Sequence, residues 1–408
     1  MATRTYRTNA FIEAARRLGV RIVVGSEFPQ ALSELSPGRT LTLNFLNLEE
    51  ATQAIVEFAK ERPISAVVPS DDDTTILAAM ASAELSLPHN SVQSVATARN
   101  KHLFRKTLAE AGLPSPQFEV LSTDDAPDNV TSRAGYPCVL KPLFLAASRG
   151  VIRANDNIQF VEAFCRISEI LRMPEVEIRG GAAAHQILVE TFMPGAEVAL
   201  EGLLSNGHLK VLALFDKPDP LDGPFFEETL YITPSRFPPA VQEEIAASAA
   251  QAMKALGLQE GPVHAEFRVN EQGPWIIEVA ARSIGGLCSR TLRFGTGLSL
   301  EELILRHAMG MNLDSIERER QAAGVMMIPI PRTGILKKVR GLGKAESVAG
   351  IEEVTISLRP GEHLVPLPEG GKYLGFLFAR DENSEQVEKA LRKAHRRLKF
   401  VITPEPQA

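Results

Sequence analysis

At 408 residues the chain is long for a single core, and two or three domains are expected. Hydrophobic residues make up 44% and charged residues 23%, an ordinary globular balance, and a net charge of −6 gives no basic field to draw the chain to nucleic acid or to an anionic membrane. Cys138, Cys165 and Cys288 are scattered and odd in number, so neither a disulfide framework nor a cysteine metal site is expected, and a reducing cytoplasm is. No run reaches the roughly 18 apolar residues of a membrane span, and MATRTYRTNA lacks the apolar core of a signal peptide.

Residues 1–88 read as α/β. Asn9–Leu18 has helical Ala/Leu spacing, Arg21–Val24 and Leu41–Phe45 are short strand candidates, and Asn47–Lys60 is helical. Ile64–Pro69 is an apolar run that leads into Ser70-Asp71-Asp72-Asp73, and a helix, Thr74–Glu84, starts behind an aspartate cap. Alternating strands and helices predict a parallel sheet. The three aspartates fit either a metal site or, as the preferred reading, cap and loop positions at a strand's end.

Residues 95–112 read as one amphipathic helix ending at Gly112, and Pro114 and Pro116 mark a linker. Pro137–Lys141 is a strand that leads into PLFLAASRGV, a helix ends near Arg172, and Arg179-Gly180-Gly181 reads as a flexible loop. Ile187–Glu190 and Glu197–Leu204 are strands flanking Phe192-Met193-Pro194-Gly195, and Asn206-Gly207 joins the second to Leu209–Leu214 as a hairpin. Ala240–Gly257 and residues 300–310 are helical. After about 320 come short strands, Val325–Ile330, Glu353–Leu358 and Tyr373–Ala379, and a helix, Ser384–Lys399, whose Lys393, Arg396 and Arg397 read as a solvated face.

The most informative stretch is GPVHAEFRVNEQGPWIIEVAAR. Two alternating runs flank the polar segment Asn270–Gly273, a hairpin pattern. A turn centred on Gln272 places Glu266 directly opposite Glu278, with Cβ atoms roughly 5 Å apart. Two carboxylates so placed repel unless something positive lies between them, and a divalent metal suits oxygen ligands. Arg282 follows, then Ser283-Ile284-Gly285-Gly286, whose backbone N–H groups could approach an anion. Metal, anion and arginine together point to phosphoryl chemistry.

The succession NKHLFRKTLAEAGLPSP, GYPCVLKPLFLAASRGV, ILVETFMPGAEVALEGLL and VHAEFRVNEQGPWIIEVAAR resembles the ATP-grasp superfamily over about 95–310. The resemblance implies an N-terminal parallel-sheet α/β domain at 1–88, a two-subdomain ATP-grasp fold at 89–315 and a small α+β C-terminal domain at 316–408. It implies ATP with Mg2+ or Mn2+, and ligation of a small-molecule carboxylate to an amine through an acyl-phosphate. Lys141 and Lys101 resemble the phosphate-contacting lysines, and Ser148 and Gly150 stand in the phosphate lid, where this chain has alanines at 146 and 147. Glu190, Phe192 and Met193 resemble the adenine hinge, and Glu197 the ribose ligand. Glu266 and Glu278 resemble the metal pair, with Ala280 where many relatives carry a further asparagine ligand, and Arg282 resembles the arginine that steadies the transferring phosphoryl. His264, Ser283, Gly285, Gly286 and, as holders of a substrate carboxylate, Arg290 and Arg293 are candidate substrate residues, and Lys217, Glu227 and Glu228 resemble a segment that lines the acceptor site. Thr3–Thr8 resembles the loop after such a domain's first strand, with no strand before it. Two other readings stay open: a biotin-carboxylase-like carboxylase working through carboxyphosphate, and a non-catalytic ATP-binding protein. A homodimer is possible; nucleic-acid and membrane partners are not expected.

Overall fold

The computed structural model describes residues 7–28, 40–131, 135–313 and 316–404. Thr3–Tyr6 lies outside the described residues, and Thr8 already begins a helix.

Periodic burial builds the N-terminal region: α1 (Thr8–Leu18), β1 (Val24–Ser26), β2 (Thr40–Thr42), α2 (Leu48–Glu61) and α3 (Asp72–Glu84). The Asn47 side chain caps α2, and Asp71 and Thr74 form a capping box on α3. β1 and β2 pair in parallel. The strand expected at Arg21–Val24 begins only at Val24. Ile64–Pro69 forms no strand: Ile64 and Val67 pack their side chains on α2 and α3, and Pro69 has no N–H for a ladder.

The single helix expected at 95–112 is two, α4 (Val92–Arg99) and α5 (Lys101–Glu110). Asn100 ends the first and caps the second, its side chain accepting from the His102 and Leu103 N–H groups at 3.0 and 3.1 Å. The break turns Lys101 N–H outward to the Leu143 carbonyl at 3.0 Å.

A four-stranded antiparallel sheet follows, made of β3 (Phe118–Ser122), β4 (Cys138–Pro142), β5 (Ile152–Ala154) and β6 (Gln186–Thr191) in the order β3-β6-β4-β5. Between its strands run α6 (Pro127–Val130), α7 (Asn157–Leu171) and α8 (Pro174–Gly180). α7 buries Phe160, Phe164 and Ile167 against this sheet. Arg179-Gly180-Gly181 is not a loose loop; it closes α8, and Arg179 reaches Asp73 and Glu27, each at 3.0 Å.

The second sheet has eight strands in the order β11-β10-β7-β8-β9-β14-β18-β16, antiparallel throughout. They are β7 (Ala196–Ser205), β8 (His208–Lys217), β9 (Leu230–Thr233), β10 (Gly261–Asn270), β11 (Gly273–Ala280), β14 (Ala322–Ile328), β16 (Ile351–Ile356) and β18 (Gly375–Asp381). α9 (Pro239–Leu256) joins α4 and α5 on one face, over Val198, Leu200, Val263, Ala265 and Phe267. The alternate positions, Glu197, Glu201, His264 and Glu266, therefore share the other face. Short elements complete the chain: β12 (Arg293–Phe294), β13 (Leu298–Ser299), α10 (Leu300–Ala308), β15 (Gly334–Arg340), α11 (Leu342–Glu346), β17 (His363–Leu364), α12 (Ser384–His395) and β19 (Lys399–Thr403). The sheet runs unbroken from β9 into β14, so the residues after 320 extend the same layer. The helix expected at Ser384–Lys399 stops at His395, because Leu398 turns in to be buried and Lys399 opens β19.

Candidate functional site

Glu266 on β10 does stand opposite Glu278 on β11. The turn, however, is the two residues between Asn270 and Gly273, and simple counting from it would pair Glu266 with Ile277. A β-bulge at Ile277 adds one residue to β11 and restores the Glu266–Glu278 pairing. The two carboxylates meet different cations. Glu278 lies 3.6 Å from Lys101 Nζ, which also donates to the Leu145 carbonyl at 2.7 Å. Glu266 lies 3.2 Å from Lys217 Nζ.

Lys217, at the end of β8, is the centre of an acidic ring. Its ammonium reaches Glu197 at 2.7 Å, Glu228 at 2.5 Å and Glu266, and it sits 4.8 Å over the Tyr231 ring. Burial opposes its charge, but Glu197, then Glu228 and Glu266, hold it well above the ordinary lysine range. Burial and the repulsion of Glu266 push Glu228 up to about 7. Glu266 itself, despite burial, is held well below the carboxylate range by Lys217 and His264. One oxygen from each of Glu197, Glu228 and Glu266 lies within 4.8 Å of the others. These are hard oxygen donors of the kind that suit a divalent cation such as magnesium, but the Lys217 ammonium already fills the space between them.

His264 bridges two carboxylates, with Nδ1 3.3 Å from Glu201 and Nε2 3.3 Å from Glu266. Burial would lower its pKa, yet Glu201 and Glu266 raise it to about 9. Glu201 is fully buried and also accepts the Ile284 N–H at 2.9 Å, so that amide of the Ser283–Gly286 turn is already engaged. Ser283 accepts from Arg7. Gly286 has φ +59 and packs against Phe376; Gly285 has open space around its Cα. Arg282 grips Asp72 at 2.7 Å and its neighbour's carbonyl, Ser283 O, at 2.9 Å; against burial, Asp72 raises its pKa. Arg290 pairs with Glu353 on β16 at 2.7 Å, and Arg293 with Glu352 at 3.3 Å.

Lys141 is the last residue but one of β4 and is buried. It pairs with Glu190, whose other oxygen takes Arg105 Nε at 2.8 Å. Burial alone would raise the Glu190 pKa; Arg105 and then Lys141 bring it down to about 2. Glu190 is thus engaged by two cations and supports Lys141. Arg105 also donates to the Ile276 and Ile277 carbonyls at 2.6 and 3.2 Å, tying α5 to the bulge. The chain then turns at Gly195, where a Cβ would lie 2.4 Å from the Val269 carbonyl, so only glycine fits. Phe192 and Met193 face a cleft of about 720 Å3 at this hinge, with Gln117 and Trp275 on its walls, a size suited to a small ligand. Glu197 receives Arg268 at 3.3 Å as well as Lys217. In the loop after β4, Ala147 and Ser148 take left-handed φ of 55° and 54°, and Gly150, at 73°, packs on the Pro142 ring.

Sequence reasoning overlooked Arg105, Glu201 and Tyr231, and it named Asp72 only as a metal-site or cap position, not as the partner of Arg282. Arg105 follows Lys101 by one helical turn and Glu201 follows Glu197 by two strand alternations, so both shared a face with a named residue. Tyr231 and Asp72 reach the site only through tertiary packing.

Three family models match the chain: an ATP-grasp N-terminal domain at residues 12–89, an ATP-grasp domain at 134–291, and L-amino acid ligase C-terminal domain 2 at 326–403. An alanine–anticapsin ligase of Bacillus subtilis is 26% identical over 63% of this chain and 56% of its own length. The chain thus aligns with little more than half of that curated ligase. The crystal structure of an L-amino acid ligase from Bacillus licheniformis superposes with a TM-score of 0.82 at 26% identity, over 97% of this chain and 96% of that one. A biotin carboxylase domain from Hydrogenobacter thermophilus, solved with MgADP and bicarbonate, gives 0.66 at 16% identity over 97% and 88%, a likeness of fold. Among the described residues no helix is long and apolar enough to cross a membrane.

Proposed function

We propose that this chain, which belongs to the ATP-grasp superfamily, is an ATP- and magnesium-dependent ligase that joins a carboxylate to the amine of an amino acid through an acyl-phosphate. The observation that carries the reading is the bulge-restored pairing of Glu266 with Glu278, with Lys101, Lys217 and Arg282 converging on it. In this reading Lys101 and Lys141 bind phosphate oxygens, and Ser148 and Gly150 cover them. Phe192 and Met193 hold the base and Glu197 the ribose hydroxyls. Glu190 acts through Lys141. Glu266 and Glu278 would hold magnesium, or manganese as another hard divalent ion, with Glu228 at hand. When bound, the ion offsets phosphate charge. The carboxylate oxygen attacks the γ-phosphorus and ADP leaves; Arg282, its guanidinium buried on Asp72, supports the charge on the acyl-phosphate. The amine then displaces phosphate. His264, Ser283, Gly285, Gly286 and Arg290 frame the substrate end.

The division at 1–88, 89–315 and 316–408, a cytoplasmic location and a homodimer complete the proposal. The test is phosphate release from MgATP against pooled amino acids and small carboxylates. Release that needs both a carboxylate and an amine supports the ligase. Release with bicarbonate alone would move the assignment to the carboxylase, and nucleotide binding without release in any pool would favour a non-catalytic binder.

A further inference from the structure

The loop after β4 is held from a distant part of the chain. The Gly150 N–H donates to the Pro368 carbonyl at 2.9 Å, and Arg149 Nε donates to the Glu369 carbonyl at 2.7 Å. The Glu369 carboxylate takes both arms of Arg166, on α7, at 2.5 and 3.0 Å. Gly371 lies against the loop, so that a Cβ built there would sit 3.9 Å from the Ala147 Cβ and 3.9 Å from that of Arg149. Gly370 makes the turn tight: a Cβ there would meet the Val365 carbonyl at 1.9 Å. Arg166 also stacks 4.9 Å over Phe225, whose neighbour Pro224 accepts the Arg153 N–H at 2.9 Å.

These contacts join two separate cores. Phe144 and Leu145 pack with α7 and the four-stranded sheet, whereas Leu364 and Leu374, which flank the distant segment, bury with β14 and β18. The bonds between them are polar, and Arg166 and Glu369 are 43% and 29% exposed. Contacts of that kind are individually weak and open readily. Under the loop, the space between Phe144, Ala146, Lys101 and Glu278 is about 20 Å3. That is room for about one water.

We propose that Pro366–Gly371 is a latch that holds the loop Ala146–Gly150 shut, and that nucleotide enters and leaves only when this latch releases. The idea rests on the reading that this loop covers the phosphates of ATP. Because the latch is carried by the region of β14–β18, it couples nucleotide exchange to the far end of the eight-stranded sheet.

The test is the double variant Ala147→Cys/Gly371→Cys, with Cys165, the exposed native thiol, changed to serine. A Cβ separation of 3.9 Å falls in the disulfide range, and Gly371 is not among the glycines with left-handed φ. Mild oxidation should form the bond. The oxidised protein should take up a fluorescent ATP analogue with magnesium at least tenfold more slowly than the reduced one, and thiol reductant should restore the rate. The opposite perturbation, Arg166→Ala, should release bound analogue a few-fold faster, as expected for the loss of a part-exposed ion pair. Failure of the disulfide to form would overturn the latch. A disulfide that leaves uptake unchanged would overturn the gate, as would unaltered release from Arg166→Ala. If the disulfide forms but the wild-type chain binds no nucleotide, the ATP reading and the gate both fall while the contact stands.

Discussion

Replacing Glu190 by glutamine should expose how strongly this fold depends on one buried carboxylate. Glu190 and Arg105 are 3% and 1% exposed, and Lys141 shares the same pocket. The Glu190 carboxyl is held at about 2 against an ordinary 4.5. At about 1.4 kcal/mol for each tenfold change in acidity, ionised Glu190 contributes about 3 kcal/mol. Removing one partner of a buried pair costs about 3–5 kcal/mol, which agrees. The sign follows from a depressed folded value: the contribution is present above the unfolded pKa near 4.5 and is lost as pH falls toward 2. Lys141, lowered by burial and then raised in part by Glu190, loses that support in the variant. Its folded state then binds fewer protons than the unfolded chain, so the variant should gain stability as pH rises toward the ordinary lysine range. The single tryptophan, Trp275, lies on β11 beside the Ile276 carbonyl that Arg105 holds, and reports unfolding locally. Urea unfolding followed by Trp275 fluorescence should show a loss of about 3 kcal/mol at neutral pH that shrinks below about pH 4.5. A loss under about 1 kcal/mol, or one that does not change with pH, would refute the reasoning.

Glu278→Gln keeps volume but removes a carboxylate, so ATP turnover should fall by about 100-fold or more while the urea midpoint stays near that of the parent; parent-like turnover in the folded variant would remove Glu278 from the metal site. Lys217→Met leaves Glu197, Glu228 and Glu266 without their shared cation. The folded pKa of Glu228, already raised by burial and Glu266, then rises further above the unfolded value, so the folded chain binds an extra proton and stability should fall as pH rises from about 5 to about 8. Denaturation midpoints across that range should slope downward, and a flat profile would contradict the ring.

Much of the site was legible because strand alternation is a local signal. Glu266 and Glu278 could be placed on neighbouring strands from their flanking runs, and their pairing rested on an assumed turn centre at Gln272. The bulge at Ile277 could not be foreseen: it offsets the half-residue error in the assumed turn, and Arg105, from a separate helix, grips the carbonyls beside it. Lys217 resembled part of an acceptor-lining segment, but its place at the centre of an acidic ring could not be foreseen, since Glu197, Glu228 and Glu266 come from two other strands and a loop. The two-helix break at Asn100 was hidden by continuous amphipathic spacing; the asparagine cap was its one local sign. Ile64–Pro69 misled for the opposite reason, because an apolar run reports burial and does not say whether a neighbouring strand exists to pair with it.

The central claim is that a carboxylate oxygen attacks the γ-phosphorus of ATP. Its most direct test uses the carboxylate substrate found in the phosphate-release screen, labelled with oxygen-18 in its carboxyl group, together with MgATP and the amine. Mass spectrometry of the released phosphate should find one labelled oxygen per molecule, carried over from the carboxylate, with ADP as the other product. Unlabelled phosphate, or AMP in place of ADP, would contradict an acyl-phosphate route.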